Sequence, residues 1–348
     1  MTKPHRTLTT LASCLLLSAT LAACSSSNDS ASKATATEHV AAQTKASSPV
    51  NASQPVKAPQ VAAAKPHSRH SDFASYELAY KEAQAQGYEL DSHFTPYRGS
   101  KSRIYGTTSA GCIANAAEFS DKDQDYQVQR RGPRNFAHPL MVQYLHDLSE
   151  RSSKLGLPPL LIGDLSLRYG GTYGLRSAHA SHNTGIDVDL PFDFALPRKS
   201  EQELINPEDV YIVKGHQIQS TFTKSIELYI KAAASDPRVD RIFVAPMIKK
   251  HMCRVYEQKP NNGFLTKLRP WFGHQAHMHV RLKCPSDSPN CVTQAPIPAG
   301  TGCGYEVDSW LNPPPPSATK KTAVRKERPQ PPAQCKLVQA GITDIPDA

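Results

Sequence analysis

Polar and apolar residues alternate along a short segment near residue 280. Apolar residues occupy every second position from 276 to 282. A period of two predicts a β-strand with one face in the core, because successive side chains of a strand point to opposite sides. The polar face of this strand would carry His277, His279 and Arg281 together.

A second alternation lies about ninety residues earlier in the chain. Apolar residues at 186, 188 and 190 alternate with Asp187 and Asp189, which predicts another strand. Gly185 can bend the chain between this strand and a preceding loop that carries His182. The bend would let His182 and Asp189 converge.

Longer apolar patterns predict the elements around these strands. Helical spacing predicts helices over 139–155 and 222–234, and Gly156 is a suitable stop for the first. Apolar runs predict strands at 160–167 and 241–247. Together these elements predict an α+β domain in which helices flank a mostly antiparallel sheet that carries the polar residues.

The polar residues of the two alternating segments are of the types that bind catalytic zinc. Two imidazoles and one carboxylate leave the fourth tetrahedral position for water. His277 and His279 can equally form an ordinary polar strand face, because an isolated His-x-His is a weak signal. Asp187 and Asp189 can equally be a solvated pair of surface carboxylates.

Several segments resemble the penicillin-insensitive murein endopeptidases. SHNTGIDVD at 181–189 and WFGHQAHMHVRLKC at 271–284 resemble the two metal motifs of that family. The resemblance runs from about Tyr105 to Cys335 and includes GCIANA, YQVQRRGPRNFAHP, LLIGDLSLRYGG, RIFVAP and CGYEVDSWLNPPPP. It also places the chain near a wider group of zinc peptidases, which includes lysostaphin-type enzymes, D-alanyl-D-alanine carboxypeptidases and the hedgehog amino-terminal domain.

The resemblance implies roles for individual residues. It implies one Zn²⁺ per catalytic site, bound by His182, Asp189 and His279, with His277 as catalytic base or transition-state stabiliser. A metal-activated water needs no acyl-enzyme, so penicillins, which trap serine nucleophiles, would not inhibit. Supporting residues implied by the same motifs are His179, His274, Asp187, Arg281 and Trp271.

The chain has eight cysteines, of which six follow Cys24. An even number in an exported protein favours disulfides, although six cysteines allow fifteen pairings. Zinc binding by these cysteines is less favoured because no Cys-x2-Cys pair occurs among them. The family resemblance implies three bonds: Cys112 with Cys335, Cys253 with Cys303, and Cys284 with Cys291.

The amino-terminal residues have the composition of an export signal. Basic residues precede an apolar stretch from Leu8 to Ala23, which predicts a signal peptide over 1–23. The tetrapeptide LAAC that ends at Cys24 resembles a bacterial lipobox, which predicts lipidation of Cys24, and Ser25 favours outer-membrane sorting. The alternative is an ordinary cleaved signal that releases a soluble periplasmic protein.

Composition predicts the remaining organisation. Residues 24–90 are rich in Ala, Ser, Thr, Lys and Pro, which predicts a lipid-anchored flexible tether with a short helix at 73–86. Residues 91–337 are long enough for one zinc endopeptidase domain with a substantial core. Residues 338–348 are predicted to form a carboxy-terminal tail.

The formal charge is +9 and falls to +7 when Lys3 and Arg6 leave with a signal peptide. Nucleic acid is not the expected partner, because the chain is exported and has no concentrated aromatic and basic motif. The expected partners are the stem peptides of peptidoglycan, and a membrane through the lipid anchor only. No regulatory or adaptor protein can be identified from the sequence.

The leading hypothesis is a periplasmic zinc endopeptidase that hydrolyses the D-alanyl to meso-diaminopimelyl cross-links of peptidoglycan. The metal chemistry follows from the residues, and the bond follows from the resemblance. One alternative is a D-alanyl-D-alanine carboxypeptidase or dipeptidase with the same zinc set. Another is a murein-binding lipoprotein without catalytic activity, in which zinc is structural.

Overall fold

A computed structural model describes most of the chain after residue 96. The described residues are 97, 99–121, 123–129, 132–174, 177, 179–313 and 329–345. The predicted signal peptide, the lipidation of Cys24 and the predicted helix at 73–86 lie outside them. Among the described residues, no helix is both long and apolar enough to cross a membrane.

The described residues form twelve strands. In chain order they are β1 (Arg103–Thr107), β2 (Ala110–Ala114), β3 (Ala117–Glu118), β4 (Tyr126–Val128), β5 (Phe136–Ala137), β6 (Leu160–Ile162), β7 (Asp187–Pro191), β8 (Val213–Lys214), β9 (Gln217–Ile218), β10 (Val239–Val244), β11 (Leu268–Pro270) and β12 (His277–Leu282). The largest sheet has the order β11-β10-β12-β7. Within this sheet, strand β12 is antiparallel to both neighbours, and the β10–β11 pair is parallel. The predicted mostly antiparallel sheet is therefore confirmed.

The period of two in β7 and β12 separates their faces as predicted. Val188, Leu190, Met278 and Val280 are completely buried in the main apolar core. The opposite face carries the aspartates of β7 and the histidines of β12. Because side chains alternate along both strands, one face builds the core while the other is available for a polar site.

Helices surround the central sheet. They are α1 (Pro139–Lys154), α2 (Glu201–Ile205), α3 (Lys224–Ala234), α4 (Pro246–Tyr256), α5 (Tyr305–Leu311) and α6 (Gln334–Gln339), with a 3₁₀ helix at Gly263–Lys267. The predicted helices at 139–155 and 222–234 correspond to α1 and α3. Their apolar faces belong to the same core cluster as β7, β10 and β12. This places helices outside the sheet, as an α+β domain requires.

Local sequence sets the ends of these helices. Pro139 occupies the first turn of α1, where its missing N–H costs nothing, and His138 Nδ1 accepts a hydrogen bond from Leu140 N at 3.1 Å. The chain leaves α1 at Gly156 with φ +72°, as the predicted stop requires. Helix α3 begins two residues later than predicted because Thr223 caps it.

Two predicted strands are too long. The strand predicted at 160–167 ends at Ile162, because the backbone then turns to bond elsewhere, with Gly163 N donating to Asp189 O at 2.9 Å. The strand predicted at 241–247 ends at Val244, because Pro246 starts α4. Apolar residues recur beyond both ends, at Leu165 and Leu167 after β6 and at Ala245 and Met247 after β10, so hydrophobicity alone did not mark them.

Three disulfides join cysteines of the described residues. They join Cys112 to Cys335, Cys253 to Cys303, and Cys284 to Cys291, the same pairs that the family resemblance implied. The first ties α6 to β2 across 223 residues. Helix α6 continues past residue 337 and buries Val338, so the predicted domain boundary at 337 falls inside a helix.

Candidate metal centre and cleft

The polar face of β7 and β12 forms the floor of a cleft of about 540 Å³. The register pairs His279 with Asp189 and Arg281 with Asp187 across the two strands. Directly opposed residues on antiparallel strands have closely spaced side chains. The strand register therefore brings together residues that lie about ninety positions apart in sequence.

Asp189 lies at the centre of the histidine cluster. Its Oδ1 is 2.9 Å from His279 Nδ1, 3.4 Å from His182 Nε2 and 3.7 Å from His277 Nε2. Its Oδ2 is 3.7 Å from His179 Nδ1. Burial alone would raise the pKa of Asp189, but the imidazoles of His182 and His277 outweigh it and hold that pKa well below its usual value.

A left-handed backbone turn places His182 beside Asp189. His182 has φ +70° and Gly185 has φ +73°. Positive φ is uncommon for a residue with a side chain, and such conformations concentrate at functional sites. At Gly185 a Cβ would lie 2.8 Å from His138 N, so glycine is required there for close packing as well. The predicted bend between the loop and β7 is confirmed.

The buried polar atoms of this cluster indicate a missing positive partner. Among the described residues, neither ring nitrogen of His182 nor Asp189 Oδ1 has a hydrogen-bond partner, although all three atoms are buried. Buried polar atoms are normally paired, so such a group needs an explanation. Ligand atoms around one tetrahedral zinc stand about 3.4 Å apart, given bonds of about 2.1 Å. The separation of 3.4 Å between His182 Nε2 and Asp189 Oδ1 matches this value, and His279 Nδ1 is closer, at 2.9 Å.

His179 also belongs to the group of potential ligands. One potential ligand atom from each of His179, His182 and Asp189 lies within 4.8 Å of the other two. His179 Nε2 is 3.5 Å from Asp164 Oδ2. Among the described residues, the group that could hold a metal ion is therefore His179, His182 and Asp189, and His279 Nδ1 lies beside it, 2.9 Å from Asp189 Oδ1.

A buried carboxylate orients His279. Asp187 Oδ1 accepts a hydrogen bond from His279 Nε2 at 2.8 Å and one from Arg281 Nε at 2.7 Å. Burial alone would raise the pKa of Asp187, but Arg281 and His279 outweigh it and keep that pKa well below normal. Burial would lower the pKa of His279, yet Asp187 and Asp189 raise it to about 9. Asp187 thereby leaves His279 Nδ1 directed towards Asp189.

His277 and His274 lie at the open side of the cluster. The side chain of His277 is 26% exposed, whereas that of His279 is 6% exposed. The His274 ring centroid is 5.2 Å from that of His277. Burial, with contributions from His277 and His279, lowers the pKa of His274 to about 4. His274 is therefore neutral at neutral pH, whereas His277 and His179, the latter 30% exposed, both line the open cleft.

Several residues of the site were not predicted from the sequence. Asp164 accepts a hydrogen bond from Arg134 Nη1 at 2.7 Å, and its backbone oxygen accepts one from Asp189 N at 3.0 Å. The Tyr173 ring stacks on His182 with centroids 5.6 Å apart. Asp164 directly follows an apolar run and a glycine, as many site aspartates do, and this was the available signal. The cleft walls at 107–109 and 292–294 had no such signal.

The fold and the cleft define a class of protein. An α+β domain that gathers imidazoles around one buried carboxylate in an open cleft has a candidate metal centre of the kind found in hydrolases. The family model described as penicillin-insensitive murein endopeptidase matches residues 104–340. The chain therefore belongs to the penicillin-insensitive murein endopeptidase family, a family of peptidases that act on peptidoglycan.

Individual relatives agree with this assignment. A penicillin-insensitive murein endopeptidase of Yersinia pestis is 42% identical over 227 residues, which are 64% of this chain and 81% of the relative. The enzyme of that name from Salmonella heidelberg is 39% identical over 237 residues, covering 67% of this chain and 84% of the relative. The one from Klebsiella pneumoniae is 39% identical over 244 residues, covering 69% and 87%.

Proposed function

We propose that this protein is a zinc endopeptidase that hydrolyses the D-alanyl to meso-diaminopimelyl cross-links of peptidoglycan. The observation that carries the proposal is the set of buried ligand atoms of His182 and Asp189 that lack a hydrogen-bond partner among the described residues, with His279 Nδ1 2.9 Å from Asp189 Oδ1. Family membership supports peptidoglycan as the substrate. The metal and the particular bond are the proposed steps beyond that membership.

We assign the zinc to His182, Asp189 and His279, and leave His179 as a neighbour. His279 is buried and oriented through Nε2 by Asp187, so its Nδ1 is held 2.9 Å from Asp189. His179 stands further from Asp189, at 3.7 Å, and its side chain is 30% exposed. Ligating histidines are usually oriented by a carboxylate on their other nitrogen, and the His279–Asp187 contact is the shorter of the two such contacts here.

Zinc in this site would supply a Lewis acid and a water of lowered pKa. The residues of the chain supply the proton transfers. His277 Nε2 lies 3.7 Å from Asp189 Oδ1 and faces the cleft, so its imidazole can accept the proton of the nucleophile and later protonate the leaving amine. Asp187 and Arg281 hold His279 in place, and Trp271 forms part of the cleft wall.

The proposed setting is the periplasm, with a lipid anchor at Cys24 and a tether over residues 24–90. The formal charge of +9 is compatible with an anionic cell-wall or membrane surface. The anchor can be tested by labelling cells with a lipid precursor. The wild-type mature protein should carry the label, and the Cys24→Ala protein should not. Recovery of the wild-type protein from the soluble periplasmic fraction, with no lipid attached, would contradict it.

Cross-linked muropeptide dimers test the activity. The zinc-loaded protein is incubated with purified dimers, with a chelator in a parallel sample, and the products are identified by mass spectrometry. Metal-dependent conversion to monomers is expected. Release of terminal D-alanine from intact dimers would instead identify a carboxypeptidase, and binding without any hydrolysis would identify a murein-binding protein.

Single substitutions test the ligand assignment. His279→Ala should lose zinc, whereas His179→Ala should retain it with at most a modest loss of affinity. Zinc content after dialysis, measured by atomic emission on protein shown to be folded by circular dichroism, distinguishes the two. A His179→Ala protein that loses zinc, beside a His279→Ala protein that keeps it, would overturn the assignment.

A further inference from the structure

Aromatic side chains extend from the candidate metal centre to the protein surface. The Phe243 ring centroid is 5.6 Å from that of His279 and 5.8 Å from that of Trp271. The Trp310 ring centroid lies 5.5 Å from Trp271 and 4.8 Å from Phe272. These separations are typical of aromatic contacts. We name Trp271, Phe272 and Trp310 the aromatic platform.

The aromatic platform is open to solvent at the edge of the cleft. Trp271 is 51% exposed and Phe272 is 74% exposed, and both line the cleft. The chain has only two tryptophans, and both are in the platform. Clustered exposed aromatic rings cost solubility, and their position beside a cleft marks a binding surface.

One disulfide and two ion pairs hold Trp310 in the platform, although it lies about forty residues after Trp271 and Phe272. The disulfide Cys253–Cys303 attaches the segment before α5 to α4. Within α5, Glu306 pairs with Arg269, and Asp308 Oδ1 pairs with Lys250 Nζ at 3.1 Å. Trp310 is therefore presented by a short helix that is fastened at its start and middle, which pre-organises the platform.

We infer that the aromatic platform binds sugar rings of the murein glycan strand next to the peptide cross-link. This inference rests on the proposed function, because it assumes that cross-linked murein lies in the cleft. A pyranose ring has a face of C–H groups about as wide as an aromatic ring, and the negative face of the aromatic system attracts those hydrogens. The platform is continuous with the cleft, so a glycan strand on it would remain connected to a stem peptide at the metal centre.

The stem peptides fit the platform less well than the glycan. Their alanine methyl groups are small, and their other groups are carboxylates, amines and amides that need polar partners when desolvated. A ligand that covers the three rings of the aromatic platform must itself have a broad, uncharged apolar face. Within murein, only the sugar rings offer faces of that kind.

Two measurements on the zinc-loaded, full-length protein test the inference. The first is the Kd for glycan strands from which an amidase has removed the stem peptides. The second is the preference ratio, defined as kcat/KM on cross-linked dimers that retain their disaccharides divided by kcat/KM on the same dimers without sugar. Trp310→Ala is the test variant, and Trp310→Tyr keeps an aromatic ring at that position.

Tyr305→Ala is the matched control. Tyr305 is 87% exposed and lies on the same helix, about 140° around its axis from Trp310. Its substitution also removes an exposed ring from α5, yet it should leave the Kd and the ratio unchanged. Because the preference ratio compares two substrates on one protein, partial unfolding of a variant lowers both terms and cancels.

We expect Trp310→Ala to raise the Kd for the glycan at least fivefold and to lower the preference ratio by a similar factor, while Trp310→Tyr restores most of both. Glycan binding and a preference ratio equal to wild type in Trp310→Ala would overturn the inference, as would a loss confined to sugar-free dimers. If neither dimer is hydrolysed by the wild-type protein, the proposed function fails, and the Kd for the glycan still decides the platform.

Discussion

Removal of the Asp187 carboxylate should weaken metal binding although Asp187 is not a proposed ligand. Asp187 is completely buried, and its Oδ1 accepts hydrogen bonds from His279 Nε2 and Arg281 Nε. An ionised carboxylate only accepts, so His279 keeps a proton on Nε2, and Nδ1, which faces Asp189, is the nitrogen that can bind a metal once its own proton is displaced. Without Asp187, the imidazole loses the partner that determines its tautomer and its ring orientation.

The expected magnitude follows from this geometry. Loss of a group that orients a metal-binding histidine costs about 10–100-fold in metal affinity, or about 1.4–2.7 kcal/mol. Asp187→Ala should lie at the upper end, because it also leaves the Arg281 charge uncompensated near the site. Asp187→Asn should lie at the lower end. Both observed hydrogen bonds end on Oδ1, and Oδ2 has no hydrogen-bond partner among the described residues, so an amide oxygen can accept both bonds.

The assay is a competition titration in which the metal-free protein and a chromophoric chelator compete for zinc. Asp240→Asn is the control, because Asp240 is a carboxylate in the same sheet that pairs with Arg241 Nε at 2.6 Å. Circular dichroism and the Tm of each metal-free protein show that it is folded at the titration temperature. A folded Asp187→Ala protein that binds zinc as tightly as wild type would refute the proposed role of Asp187 and the assignment of His279 as a ligand.

Three further predictions concern the proton carrier, acid stability and the disulfides. His277→Ala should keep its zinc but lose most of its turnover of cross-linked dimers, since its imidazole lines the cleft beside Asp189 without being a proposed ligand; full turnover would exclude the proposed role. Burial opposes ionisation of Asp287, but His138, Tyr97 and Ser100 outweigh it and lower its pKa from 3.8 to about 2. A lowered folded-state pKa stabilises the fold above the unfolded value, so Asp287→Asn should cost about 1–2 kcal/mol above about pH 5, and this difference in unfolding free energy should vanish as the pH falls from about 4 to about 2. A difference that stays constant down to pH 2 would contradict that account. Replacement of Cys112 and Cys335 by serine should cost about 5 kcal/mol, against about 2 kcal/mol for Cys284 and Cys291, because the first bond closes a loop of 223 residues and the second a loop of 7. Equal losses of stability in urea titrations of the two double variants would show that loop length does not govern them.

The amino-acid pattern by itself was sufficient to predict the two strands that carry the site. Alternation with a period of two is a local property, so it predicted β7 and β12 and placed His277 and His279 on one face. Gly185 marked the bend before β7 for an equally local reason, since only glycine adopts its backbone conformation without strain. The bounds of β6 and β10 were less well predicted because apolar runs do not indicate where hydrogen-bonding partners end.

The tertiary structure alone decided which of these residues meet. The pairing of His279 with Asp189 depends on the register of two strands far apart in sequence, and a slip of one residue would turn the histidines towards the core. Contacts of Asp164 with His179 and of Trp310 with Trp271 likewise join segments that no local pattern relates. Local sequence determines backbone preference and which side chains share a face, whereas long-range packing and hydrogen bonding select the one arrangement in which those faces meet.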